Sequence, residues 1–274
     1  MTAEVARITG SGELNLGLAY GQRRRARFGE EVVEAITNQV VGGAVPPETP
    51  LPSEAEMAEG FGVSRTVIRE AMKQLETMGL VEKHAGKRTW TAPASSWNLL
   101  NPLILNARAR HDRDFSFIDD VIDVRVVLEA QMAGQAASRA TEDEVAELGR
   151  VWKALEANLS QVDAYVELDT LFHLSIMRAS RNQFAMTVVN AIHSHARVRE
   201  RFSELPADLL EQLLDLSQEG HTAIFERLAE RDAGAAEAAM RAHIRSTWEW
   251  RRRNPGRYHS ADGRTDGAER APSQ

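Results

Sequence analysis

Apolar residues recur at helical spacing along most of this chain, and one short stretch reads instead as a strand hairpin. Over Phe28–Val41 the residues Val32, Val33, Ile36 and Val40 share one face, which predicts an amphipathic helix. Val45–Pro52 holds four prolines and cannot be helical. Ser53 with Glu56 forms an S-x-x-E capping box, so a helix is expected from Glu54 to the Gly60-Phe61-Gly62 stop. Ser64 then caps a second helix that runs to about Met78 and ends at Gly79. Beyond it, Leu80-Val81 and Arg88–Thr91 read as a short hairpin around His84–Lys87. From Phe115 onward every segment reads as helix. Phe117, Val121, Val124 and Leu128 mark one face of a helix to about Ala140, and Thr141 with Glu144 caps the next, to about Leu159. Further helices are expected over Val162–Ala179, Asn182 to about Arg201, Pro206–Arg231 and Ala233–Arg253. The predicted fold is therefore mainly α, with an N-terminal winged helix-turn-helix and a C-terminal all-α bundle of about six helices.

The second helix of the pair has two distinct faces. Val67, Ile68, Ala71, Leu75 and Met78 turn toward the domain core. Arg65, Arg69 and Lys73 stack at i, i+4 and i+8 on the other side, next to Thr66. An arginine can pair bidentately with a guanine edge, and Lys or Thr can hold phosphate. The first-turn N–H groups near Ser64 add an anion-binding end. Lys87 and Arg88 at the hairpin tip would lie near DNA phosphate or the minor groove, while Trp90 is read as packing. Together these features point to double-stranded DNA as a partner.

Composition changes the picture little. The net charge of −7 does not suggest nucleic acid, and residues 1–94 carry 11 basic and 12 acidic side chains, so the basic face is local to one helix and a wing. The absence of cysteine excludes disulfides, Cys-based zinc fingers and thiol chemistry. No apolar run approaches the roughly 20 residues of a membrane span, and no signal peptide is evident, so a cytoplasmic protein with no membrane partner is expected. Residues 1–22 read as a mobile leader, 23–92 as the DNA-binding domain, 93–114 as a linker, 115–253 as the helical domain and 254–274 as a disordered tail. The basic run Arg23–Arg27 reads equally as a DNA-backbone arm or a solvated linker. Trp97–Pro102 is expected to pack between the domains.

In the helical half, Asp169 and His173 are spaced i, i+4 on one predicted helix, with His221 and His243 on two others. Facing helices of a bundle build metal sites in this way, and imidazole with carboxylate suits Zn, Ni, Fe or Mn. A lone helical histidine is more often an ordinary hydrogen-bonded residue, and on spacing alone that reading stays open.

Residues 28–92 resemble the winged-helix domain of GntR-family transcription regulators. The motif is Pro52-Ser53-Glu54, then Val63–Ala71 (VSRTVIREA), then Leu75 and Gly79-Leu80. The resemblance implies operator contacts from Ser64, Arg65, Thr66 and Arg69, with Gly86 of the wing entering the minor groove. The chain departs from the pattern at Ala55, where many members carry a DNA-contacting arginine. Residues 117–250 resemble the FCD ligand-binding domain of the FadR subgroup, through Asp123-Val124-Arg125 with Leu128-Glu129, Asp169–His173, Glu219-Gly220-His221, and Ala239-Met240 with His243. That resemblance implies a divalent metal ion on Asp169, His173, His221 and His243, and disfavours the acyl-CoA branch that lacks this set. It also implies a small carboxylate effector on Arg125, whose alternative is an ion pair with Glu129 one turn on. Asn190 and Arg197 are further pocket candidates; His193 and His195 are read as bundle-wall or surface residues. The Trp97-Asn98 linker resembles that of sugar-acid regulators, which points to an aldonate or uronate.

The expected function is an effector-controlled regulator, a homodimeric repressor of a catabolic operon reading a palindromic site. Two other readings remain on the page. One is a metal-dependent hydrolase or other enzyme using the Asp/His set, although no HExxH is present. The other is a DNA-binding protein whose metal is purely structural.

Overall fold

The computed structural model describes residues 16–83, 88–195 and 205–254. The chain divides into two compact units that meet in sequence between Asn98 and Leu99.

The first unit opens with α1 (Leu16–Val41), followed by α2 (Glu54–Phe61), α3 (Arg65–Thr77), β1 (Val81–Lys83) and β2 (Thr89–Thr91). Helix α1 begins twelve residues before the expected Phe28, so Leu16–Arg27 is helical rather than leader or linker, and the Arg23–Arg27 run falls inside it. Val32, Val33, Ile36 and Val40 are buried as the period requires. Helix α2 starts on the Ser53–Glu56 capping box, with Glu56 accepting from the Ser53 N–H at 2.7 Å. It stops at Gly62, which takes a left-handed conformation (φ 65°) that a residue without Cβ adopts at least cost. Ser64 caps α3 through the Val67 N–H. Strands β1 and β2 pair antiparallel, Val81 opposite Thr91 and Lys83 opposite Thr89. The proline-rich segment adds a bridge between Pro50 and Trp90, and Leu51 N–H donates to Thr89 O at 2.8 Å. Thr91, fully buried, ties the same segment down by donating its hydroxyl to Pro46 O at 2.7 Å. Trp97 and Asn98 close this unit: the Trp97 indole donates to Ala92 O and the Asn98 N–H to Met78 O.

The second unit is all helix among the described residues. It comprises α4 (Pro102–His111), α5 (Ser116–Arg139), α6 (Glu142–Ala157), α7 (Val162–Ala179), α8 (Gln183–His195), α9 (Ala207–Ala229) and α10 (Ala233–Arg253). Helix α4 corrects the expected linker: a ten-residue helix, capped by Asn101 with Pro102 in its first turn, belongs to the bundle and packs on α5 and α8. Its apolar face is short, so its signal in sequence is weak. Buried Asp112 starts α5 by accepting from the N–H groups of Phe117 and Ile118. Helix α5 lies along α10 and against α7. A stripe of small residues, Ala130, Ala133, Ala136 and Ala137, is buried there. At Gly134 an added Cβ would come within 2.9 Å of Ala233 O, so the α5–α10 approach requires glycine. One expectation fails on this helix. Val124 is 43% exposed, and the inward face is instead Val126, Glu129 and Ala130, because a buried carboxylate occupies a position that hydropathy assigns to solvent.

Gly79 carries the sharpest steric constraint of the first unit. It sits at φ 76°, and a Cβ there would approach Ser96 O to 2.0 Å. Gly79→Ala is expected to destabilise the DNA-binding unit by more than about 1 kcal/mol, read as a lower denaturation midpoint. An unchanged midpoint would show that the Ser96 contact gives way freely.

Candidate functional site

The exposed face of α3 is the first candidate. Ser64, Arg65, Thr66, Arg69 and Lys73 are all solvent-exposed, while Val67, Ile68, Ala71, Leu75 and Met78 hold the opposite face in the core, joined by Met72. Lys73 Nζ ion-pairs with Glu70 at 2.9 Å, an exposed pair that competes only weakly with a phosphate. Arg88 is exposed at the start of β2. Gly86 and Lys87, at the expected wing tip, lie outside the described residues.

The second candidate is a cavity of about 140 Å³ within the helical unit. Asp169 and His173 reach it from α7 and His243 from α10, and Arg125 lines it from α5. His173, His221 and His243 are buried, and each offers a ring nitrogen within 4.8 Å of the other two. The rings of His221 and His243 meet tilted at 45°, with centroids 4.5 Å apart. The crowding depends on Gly220, where a Cβ would sit 2.2 Å from His243 Nδ1. Asp169 Oδ1 approaches His221 Nε2 to 3.2 Å. The four expected metal-ligating side chains are therefore brought together from three helices.

A buried carboxylate organises the cluster. Glu129, fully buried, sits within 2.6 Å of Arg125 Nε, 2.9 Å of His173 Nδ1 and 3.0 Å of His193 Nε2. An ionised carboxylate only accepts hydrogen bonds, so Nδ1 of His173 carries the proton and Nε2 keeps its lone pair. A hydrogen bond to the far ring nitrogen is how proteins fix the tautomer in which Nε2 can take a metal. From the sequence Glu129 stands out as a motif residue and as the ion-pair partner of Arg125, and His193 as a bundle-wall or surface residue. His193 is in fact largely buried and bonded to the site's central carboxylate. The signal was the i, i+4 spacing of Arg125 and Glu129; the third and fourth members come from other helices. The side chain of His195 and all of Arg197 lie outside the described residues. Asn190 is exposed on α8 and does not line the cavity, which α8 reaches through Ile192 instead.

The electrostatics suit a cation ligand set. Burial pushes the Asp169 carboxyl up, but His221 beside it and the charges of His173 and His243 hold it well below the usual carboxylate range. Burial pushes His173 and His243 below the ordinary imidazole value, and for His243 the neighbouring His221 and His173 push the same way. Both rings are thus neutral near pH 7, the form that coordinates a metal. His243 Nδ1 is buried with no hydrogen-bond partner, and the equally buried His221 Nε2 meets the Asp169 carboxylate at 3.2 Å. Buried polar atoms are rarely left without a partner, and a cation shared by the two rings would supply one. The residues therefore fit a divalent metal ion.

A winged helix-turn-helix with an exposed basic reading face, carried with a helical ligand domain, defines a DNA-binding regulator. Residues 28–90 match the bacterial regulatory proteins of the gntR family, and residues 120–246 match the FCD domain. The chain is 30% identical to the galactonate operon transcriptional repressor of Escherichia coli K12 over 80% of its own length and 94% of the relative's. It is 28% identical to a putative L-lactate dehydrogenase operon regulatory protein of the same strain, over 80% and 84%. Among solved structures it is similar to Lar, which controls expression of the Listeria monocytogenes agr system. That match has a TM-score of 0.55 at 15% identity over 82% of this chain and 96% of Lar, a likeness of fold alone. The chain belongs to the GntR family, in the FadR-like subgroup that carries an FCD domain, and is a transcription regulator rather than an enzyme. No described helix is long and apolar enough to cross a membrane.

The shifts set a pH dependence for metal-free protein. Above about pH 6.5, the ordinary imidazole value, His173 and His243 are neutral both folded and unfolded and contribute nothing. Below it the unfolded chain takes up protons that the folded one refuses, so stability falls. Glu129 and Asp169, depressed from 4.5 and 3.8, stabilise the fold above those values and lose that contribution as pH falls through their lower folded values. Thermal midpoints of chelator-treated protein are expected to start falling below pH 6.5 and to fall more steeply below 4.5. A midpoint flat from 6.5 down to 4.5 would contradict the neutral buried imidazoles.

Proposed function

We propose that this protein is a homodimeric, cytoplasmic repressor of a catabolic operon, released from its operator by a small carboxylate bound at a metal site in the helical unit. The observation that carries the effector half is the cluster of three buried imidazoles, His173, His221 and His243, beside Asp169 and the Arg125 guanidinium, in which His243 Nδ1 has no hydrogen-bond partner. Asp169, His173, His221 and His243 would hold the metal, which in turn supplies Lewis-acid attraction for a carboxylate or hydroxyl oxygen. Arg125 spends Nε on Glu129, and the rest of its guanidinium is the natural second partner for the same carboxylate. Relatives named for galactonate and L-lactate dehydrogenase operons support an acid effector and control of catabolism.

On the DNA side, Arg65 and Arg69 would read base edges, and Ser64, Thr66 and Lys73 would hold phosphate. Two copies of α3 on a two-fold axis would read two half-sites. An effector changes operator affinity only by binding one arrangement of the dimer more tightly than the other.

Two experiments test this. Arg65→Ala is expected to abolish specific operator binding while leaving the thermal midpoint unchanged; wild-type affinity in an operator titration would remove α3 as the reading helix. A thermal-shift screen of small acids against metal-loaded and chelator-stripped protein tests the effector. A ligand at about 100 times its Kd adds roughly 2.7 kcal/mol, a rise of several degrees, and the shift is expected to vanish on stripping. If chelation lowers the midpoint but no acid shifts it, the metal is structural only.

A further inference from the structure

The wall of the effector cavity differs in kind from its polar end. Helix α4 contributes Leu105 and Ala109, α5 contributes Phe117 and Val121, α9 contributes Leu213 and α10 contributes Trp248. The polar groups that interrupt this wall are already engaged. Trp248 donates its indole N–H to Asp119 at 2.7 Å and so turns only hydrocarbon to the cavity. Thr247 donates its hydroxyl to His243 O at 2.8 Å, Ser217 hydrogen-bonds Tyr165, and Arg251 has an interaction partner of its own. Among the described residues, the polar groups that meet the cavity as a cluster are Arg125, Asp169 and the histidines, while Ser217, Thr247 and Arg251 are scattered through the wall.

We propose that the effector is a monocarboxylic acid with a compact hydrocarbon body, about the size of one six-membered ring. Its head meets Arg125 and the histidine cluster, and its body fills the chamber between α4, α5 and α10. This rests on the reading of the site as a carboxylate site and narrows it. The size follows from the cavity: its whole volume, polar end included, is about 140 Å³, close to the roughly 150 Å³ that accommodates a benzene ring in other proteins, which leaves room for no body larger than one ring. The chemistry follows from the wall. A polyhydroxylated acid would press several hydroxyls against Leu105, Phe117, Leu213 and Trp248, more than the described wall residues Ser217, Thr247 and Arg251 stand beside, and each buried unpaired polar group weakens binding by about tenfold or more.

The test is calorimetric titration of zinc-loaded, full-length protein with benzoate and cyclohexanecarboxylate, against galactonate, gluconate and succinate. The ring acids are expected to bind at least about tenfold more tightly than galactonate. Val121→Asn, which places an amide in the wall, is expected to remove about that factor for benzoate with the zinc content of the purified protein unchanged. Ala109→Phe, which fills the chamber from α4, serves the same purpose should the first variant fail to fold. Tighter binding of galactonate, gluconate or succinate than of either ring acid would overturn the hydrocarbon body and leave the carboxylate site standing. Binding of none of the five acids would overturn the carboxylate site itself, and this inference with it. Full benzoate affinity in both folded variants would place the body outside the chamber and overturn the inference.

Discussion

Glu129 is the group on which the helical unit depends. A carboxylate fully withdrawn from water is costly unless its oxygens are paired, and here three cationic or N–H partners converge on it from α5, α7 and α8. Burial alone would drive its pKa up; the charges of Arg125 and His193 and the hydrogen bonds from the two histidines reverse this and hold it well below the usual range. The arrangement does three things at once. It anchors α7 and α8 to α5, it aims the His173 lone pair away from Glu129, and it presents the Arg125 guanidinium at the cavity. Each follows from the geometry of one carboxylate.

The cluster also requires helices that approach closely. Gly134 lets α10 reach α5, and Gly220 lets His243 lie against α9. The alanines between them add little side-chain volume, so the bundle is narrow where the histidines meet. The wider apolar chamber opens beside this point because α4, Phe117 and Trp248 stand off from it with larger side chains, Phe115 meeting Trp248 edge to face at 5.6 Å. A cavity with a polar end and an apolar wall thus arises from a change of side-chain size along the same helices.

Much of the chain could be read before any coordinates. The helix-turn-helix was legible because its determinants are local. Ser53 and Glu56 cap one helix, Gly62 ends it, and Ser64 starts the next, each within four residues of the group it satisfies. The two faces of α3 follow from a 3.6-residue period. The bounds of α7 and α10 were equally plain, and the four Asp and His positions stood out by type and spacing. Three features were not legible. Helix α4 has too short an apolar face to stand out from a linker, Leu16–Arg27 has no apolar stripe to announce a helix, and Val124 and Glu129 exchange the roles that hydropathy gives them.

What local neighbours three or four residues apart write down, the helix-turn-helix, most bundle helices, the two faces of α3 and the Asp169–His173 pair, is therefore legible in the chain alone. Packing of distant helices sets the rest: His193 joins Glu129 across 64 positions of the chain, Asn190 lies off the cavity wall, and α4 closes the apolar part of the cavity beside His173 and His243. No periodicity records such a pairing, because it depends on which helices pack together and how closely their small residues let them approach.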